Sequence, residues 1–180
     1  MQITVSGLPG SGTSTISRLL AEYYELELIS SGEVFRRIAK EKGMTLSEFG
    51  IMAEKDPSID LAIDKNQRAI IRSQDNIILE SRLAGHMAIG VPNVLKIWIK
   101  ASLPVRVKRI QKREKSRSFE EEFEKTVQRE KSETLRYKNY YNIDIADLSI
   151  YDIVIDSEKW NQYQTLDILR IAIDSLIGPE

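Results

Sequence analysis

The chain has 180 residues, with 26 lysines and arginines against 27 aspartates and glutamates, one histidine and no cysteine. A net charge of −1 leaves no global field to recruit nucleic acid or an anionic membrane. The missing thiols exclude a disulfide scaffold, a thiolate nucleophile and a zinc–thiolate site, and the lone histidine argues against a histidine metal cluster. No apolar run approaches the ~20 residues of a membrane span, and the leading MQITVSG lacks the regions of a secretion signal. A single cytoplasmic domain is expected, with no nucleic-acid, membrane or obligate protein partner.

Five apolar, β-branched runs recur along the chain: ITVS (3–6), LELIS (26–30), NIILE (76–80), LKIWIKA (95–101) and YDIVID (151–156). Between them lie stretches of helical period, carried by Ile16, Leu19, Leu20 and Tyr23, by Ile59, Ile63 and Ile70, and by Ile168, Ile171 and Leu176. Strands alternating with helices predict an α/β fold, a five-stranded parallel sheet with helices on both faces.

Behind the first run stands SGLPGSGTSTI (6–16), which keeps the register of a phosphate loop, G-x-x-x-x-G-K-[ST], except that Thr13 occupies the lysine position. A plain glycine-rich turn is the alternative. The strand and helix flanks favour a nucleotide cradle built from Gly7, Leu8, Pro9, Gly10, Ser11, Gly12, Thr13, Ser14 and Thr15. Such a cradle is mostly backbone and survives the exchange, and the Ser14 hydroxyl is the expected ligand for Mg²⁺. What is lost is a cation near the transferred phosphoryl group, which other side chains must supply.

Two segments read as too charged for a core. One, over about 39–73, predicts two or three short helices, the last opened by Pro57. The other, over 106–141, reads as long helices broken near 112–118, where Lys112, Arg113, Lys115 and Arg117 crowd together as a candidate lid. The core is then 1–38, 74–111 and 142–180, with an insertion at about 39–73 and the lid and its following helix at about 112–141.

Arginines recur in SSGEVFR (Gly32, Arg36), LESRLAG (Arg82), VKRIQKR (Arg109, Arg113) and REKSETLR (Arg129, Glu133, Arg136), where a parallel sheet presents its carboxyl edge. Taken singly, each could be a solvated helix pair. On the insertion, Asp60, Asp64 and Arg68 stand four apart, suited either to a base edge or to surface pairing. Glu80 closes a strand beside the loop, where an acid could order a Mg²⁺-bound water. His86 reads as a loop residue.

Together these motifs resemble the P-loop nucleoside monophosphate kinases, and among them the cytidylate kinases of the archaeal type, over essentially the whole chain. The resemblance implies a three-layer P-loop fold with inserted monophosphate-binding helices and a short lid. It implies transfer of a phosphoryl group from ATP, with Mg²⁺, to CMP and dCMP. Gly32, Arg36, Arg82, Glu133 and Arg136 would then hold the acceptor, while Arg109, Arg113 and Arg129 would close over the transferred group; Asp60, Asp64 and Arg68 are the candidates for the acceptor's base on their spacing alone, with surface pairing the alternative. A kinase of the same fold for another monophosphate or small molecule, and a non-catalytic ATP sensor, stay open.

Overall fold

Each of the five apolar runs is a strand: β1 (Gln2–Ser6), β2 (Glu27–Ser30), β3 (Ile77–Glu80), β4 (Val94–Lys100) and β5 (Ile153–Asp156). They form one parallel sheet in the order β2-β3-β1-β4-β5. This computed structural model describes residues 1–115 and 118–178, so Arg117 of the basic break lies outside the described residues. Ile3, Val5, Ile78, Ile97 and Ile99 are buried at the sheet centre, which is why these runs show no polar alternation. Register sets Val5, Glu80 and Ser30 in one row at the carboxyl edge.

The helices are α1 (Thr13–Tyr23), α2 (Ser31–Glu41), α3 (Leu46–Lys55), α4 (Ser58–Ser73), α5 (Ala84–Met87), α6 (Leu103–Glu114), α7 (Phe119–Tyr141) and α8 (Gln162–Ile177). None of the described helices is long and apolar enough to cross a membrane. Ile16 and Leu20 of α1 pack on Leu169 and Ile173 of α8 against the sheet. The expected stripe on α8 is therefore corrected, since Ile171 is 73% and Leu176 68% exposed. This helix carries apolar residues on more than one face, and the Leu166, Leu169, Ile173 set wins the core.

Both segments expected to be too charged for a core are corrected as well: over 39–73, Phe49, Ala53 and Ile71 are fully buried. One face of α7 buries Thr126, Glu133, Arg136 and Tyr137. The buried charges of Glu133 and Arg136 persist because each meets an opposite charge. Lys115 closes α6 with φ 53°, and Ser118 caps α7 by accepting from the Glu121 amide, so only a short connection joins the two helices.

Candidate active site

The loop after β1 turns through two left-handed glycines, Gly10 at φ 83° and Gly12 at φ 105°. A Cβ on Gly10 would lie 2.5 Å from the Arg106 carbonyl oxygen, whereas one on Gly12 would meet open space. Two arginines of α6 grip the loop carbonyls. Buried Arg106 donates to Pro9 O at 3.1 Å and pairs with Glu130. Arg109 donates to Ser11 O at 3.1 Å and, through its other terminal nitrogen, to Ser157 O at 2.7 Å. The backbone is thereby braced where α1 begins and its first amides lack intrahelical partners.

A cleft of about 530 Å³ opens over this loop. Pro9 to Thr15 line it, together with Gly32, Arg36, Asp60, Asp64, Arg82, Arg109, Arg113, Arg129, Glu133 and Arg136. Gly7 and Leu8 stand behind it. The Gly7 carbonyl accepts from Arg82 at 2.8 Å, and Leu8 packs against the cluster around Leu83, Trp98 and Tyr137.

The arginines divide into braced and open. Glu133 takes Arg82 Nε on one oxygen at 3.0 Å and Arg129 Nε on the other at 2.9 Å. Burial alone would raise the Glu133 carboxyl, but Arg82, Arg129 and Arg136 together hold it down at about 2. Arg136 sits on both oxygens of Asp60, at 2.8 and 2.5 Å, with its guanidinium 5.6 Å from the Phe35 ring centre. Arg36 is exposed overall and makes no hydrogen bond or ion pair among the described residues. Partial desolvation where it lines the cleft, opposed by the charge of Glu80, lowers its pKa. Arg113 reaches the cleft from the exposed end of α6, its Nε on Glu114 at 2.9 Å.

The buried face of α4 is polar, consisting of Asp60, Asp64 and Gln67 before Ile71. Arg68, expected on that face, lies outside the cleft with its Nε 3.2 Å from Met87 Sδ. At ~100° per residue, position 68 has rotated about 80° from Asp60, while position 67 is within about 20° of it. Gln67 thus completes a chain in which Ser81 donates to Gln67 at 2.6 Å, Gln67 to Asp64 at 2.8 Å, and Tyr141 to Asp64 at 2.5 Å. Burial lifts the Asp64 carboxyl to about 6, with the Tyr141 hydroxyl opposing and Asp60 adding to the rise.

Glu80, only 4% exposed, stands where loop and cleft meet. It accepts from Thr13 at 2.7 Å and Ser14 at 3.2 Å on one oxygen, and from Ser30 at 2.5 Å on the other. Residues that sequence reasoning missed are Gln67, Ser30, the loop brace Arg106, and Ser157, Trp160, Asn161 and Gln162 at the far end of the cleft. Only Gln67 carried a signal, its place seven residues beyond Asp60. His86, expected in a loop, lies instead in the short helix α5, outside the cleft and edge-on to Tyr151 at 6.3 Å.

A loop with phosphate-cradle geometry, facing arginines carried by α2, α7 and the β3 edge, is the setting in which comparison with known proteins becomes informative. The sequence profile of the cytidylate kinase-like family matches residues 2–159. The chain belongs to that family. It is 81% identical to a cytidylate kinase of Methanosarcina barkeri and 80% identical to one of Methanosarcina acetivorans, over 180 residues and the full length of each. The fold recurs in a shikimate kinase of Bacteroides thetaiotaomicron, at TM-score 0.64 and 10% identity over 96% of this chain and 98% of that one.

Proposed function

We propose that this chain transfers the γ-phosphoryl group of ATP to CMP, giving ADP and CDP, and accepts dCMP as well. The observation that carries the reading is that one cleft holds a phosphate loop and, across from it, Arg36, Arg82, Arg129 and Arg136. An ATP sensor has no use for a second anion site. The full-length cytidylate kinase relatives favour CMP over another acceptor.

In this reading the amides of residues 10–14 hold the donor phosphates, and Arg109 and Arg106 keep the loop in shape from behind. Arg36, Arg82 and Arg136 take the acceptor phosphate, with Asp60 fixing the Arg136 guanidinium and Glu133 that of Arg82 in advance. Arg113 and Arg129 close on the transferred group. An acceptor phosphate oxygen forms the new bond to the γ-phosphorus while the bond to the β-phosphate oxygen breaks, and the electron pair leaves with ADP. No side-chain base is needed, because the nucleophile is already anionic at neutral pH. Hard oxygen donors at the loop, the Ser14 hydroxyl with the Glu80 carboxylate beyond it, suit Mg²⁺. When bound there it would neutralise charge on the donor phosphates.

The α3–α4 insertion serves as the monophosphate arm, Gln67 and Asp64 meet the base, and the α6–α7 connection acts as the lid. We place the activity in the cytoplasm, without a nucleic-acid or protein partner. An ADP-release assay across CMP, dCMP, UMP, AMP and no acceptor tests the reading. Turnover with CMP well above UMP and AMP is expected, and ATP binding without acceptor-dependent release would support the sensor instead.

Asp64 gives a pH signature. Only its ionised form can accept from both protein donors and a base amino group, so the Michaelis constant for CMP is expected to climb as pH falls through about 6. Asp60, Arg136, Arg68, Gln67 and Tyr141 surround it, and burial raises the Asp60 carboxyl too, opposed by Arg136. The substrate phosphate also titrates near ~6, so the wild-type profile should be steeper than that of Asp64→Asn, which lacks the Asp64 part and keeps those of Asp60 and the substrate. Equal slopes would remove Asp64 from the base subsite.

A further inference from the structure

The two helices that begin at the cleft serve opposite substrates in the reading above, and one carboxylate touches the first turn of both. The Thr13 and Ser14 hydroxyls of α1 reach Oε1 of Glu80, while the hydroxyl of Ser30, the N-cap of α2, reaches Oε2 at 2.5 Å. Ser30 also caps α2 by accepting from the Glu33 amide at 3.4 Å. Arg36 stands six residues further along the chain, on that same helix. Glu80 itself is fixed in the row of β1, β2 and β3 residues by strand register. The charge lies between two helix N-termini, each favourable to an anion.

Thr13 gains a role from this arrangement. A lysine there would present an ammonium toward the phosphates, whereas the threonine hydroxyl is buried and donates at 2.7 Å to Glu80. The side chain at the lysine position is therefore tied to the acceptor side of the cleft.

We propose that Glu80 is a positioning residue coupling the two substrate subsites: filling the donor loop shifts Thr13 and Ser14, and through Glu80 and Ser30 sets the α2 cap and Arg36 for the acceptor phosphate. The inference rests on the kinase reading and deepens it. It requires no contact between Glu80 and the reacting atoms. Its signature is a coupling between ligands, since a link of this kind makes each ligand's affinity depend on the other by the same factor.

The test is calorimetric titration of CMP into the full chain, with and without saturating Mg²⁺ and a non-hydrolysable ATP analogue. In wild type, CMP is expected to bind about fivefold tighter or more when the analogue is present, within the usual range of such couplings. Ser30→Ala is expected to bring that ratio close to one, and Ser30→Thr, which keeps a capping hydroxyl, to restore most of it. The ratio cancels any uniform loss of acceptor affinity caused by a weaker cap, which a merely structural role would produce. Thr13→Val should also lower the ratio, and its combination with Ser30→Ala should lower it no further, because both act through one carboxylate. Thermal melting establishes that each variant is folded, and if the larger changes are not, Glu80→Gln, whose single acceptor oxygen cannot serve both hydroxyl sets, carries the test with an expected ratio well below that of wild type. A wild-type ratio near one, or a ratio unchanged in folded Ser30→Ala, overturns the coupling. An absence of CMP-dependent ADP release would instead overturn the kinase reading, so the two failures are distinguishable.

Discussion

Arg129→Ala is expected to slow single-turnover phosphoryl transfer about 10²-fold or more under saturating ATP and CMP, with much smaller changes in either affinity. Without a lysine in the loop, positive charge for the departing phosphoryl group must come from elsewhere. Arg109 is occupied with the Ser11 and Ser157 carbonyls. Arg129 uses its Nε on Glu133, and its terminal nitrogens make no hydrogen bond among the described residues. Arg113, at the end of α6, shares the task, so Arg113→Ala should give a loss of the same order and Arg113→Lys only partial recovery, because an ammonium cannot span two oxygens as a fixed fork. The double alanine variant should lose more than either single one. Near-normal rates in both single variants would leave Mg²⁺ or another cation as the neutralising charge.

Gly10→Ala should be far more damaging than the same change at Gly12. Its φ of 83° strains any L side chain, and its methyl would lie 2.5 Å from the backbone oxygen of Arg106, an atom that cannot swing aside. To accommodate it, the loop must lift from α6 and give up the Arg106 and Arg109 contacts to its carbonyls. A loss of ATP affinity of roughly 100-fold or more is expected, since backbone placement is the cradle itself. Gly12→Ala has the same handedness problem but open space ahead. It should leave melting less affected than Gly10→Ala, while Gly12→Val intrudes on the phosphate space. Titration with ATP and a thermal melt of each variant check this. An ATP affinity within threefold of wild type in Gly10→Ala would show that the loop is not the cradle.

The sheet was readable because parallel strands buried on both faces leave uninterrupted apolar runs, and all five were placed within a few residues. The loop was readable because its glycine spacing is local. The pairing of charges across the cleft was not. Asp60 meets Arg136 across 76 residues and Arg82 meets Glu133 across 51, separations at which a sequence reveals a residue type but no partner. For the same reason α7 reads as too polar for a core, although Arg82 and Asp60, brought in from other elements, meet its buried Glu133 and Arg136 there. Arg106 was invisible for a different reason: its value lies in holding a carbonyl, which leaves no pattern. Arg68 was misplaced by a four-residue rule that drifts when applied twice. The outward isoleucines of α8 show that a helix with too many apolar residues does not announce which face is inward.

The long helix α7 works as a ruler. Arg129, Glu133 and Arg136 ride on one continuous rod of 23 residues, so the distance from the arginine assigned to the moving phosphoryl group to the one assigned to the acceptor is set by counting, at ~1.5 Å per residue. Seven positions correspond to about 10 Å along the axis and nearly two full turns, which returns both guanidiniums to one side of the rod. A single residue inserted between Glu133 and Arg136 would turn the latter by about 100° and strand Asp60 without its partner. Length therefore cannot vary within this stretch. On the proposed assignment, the spacing between the two anion-facing arginines is written into the register of one helix.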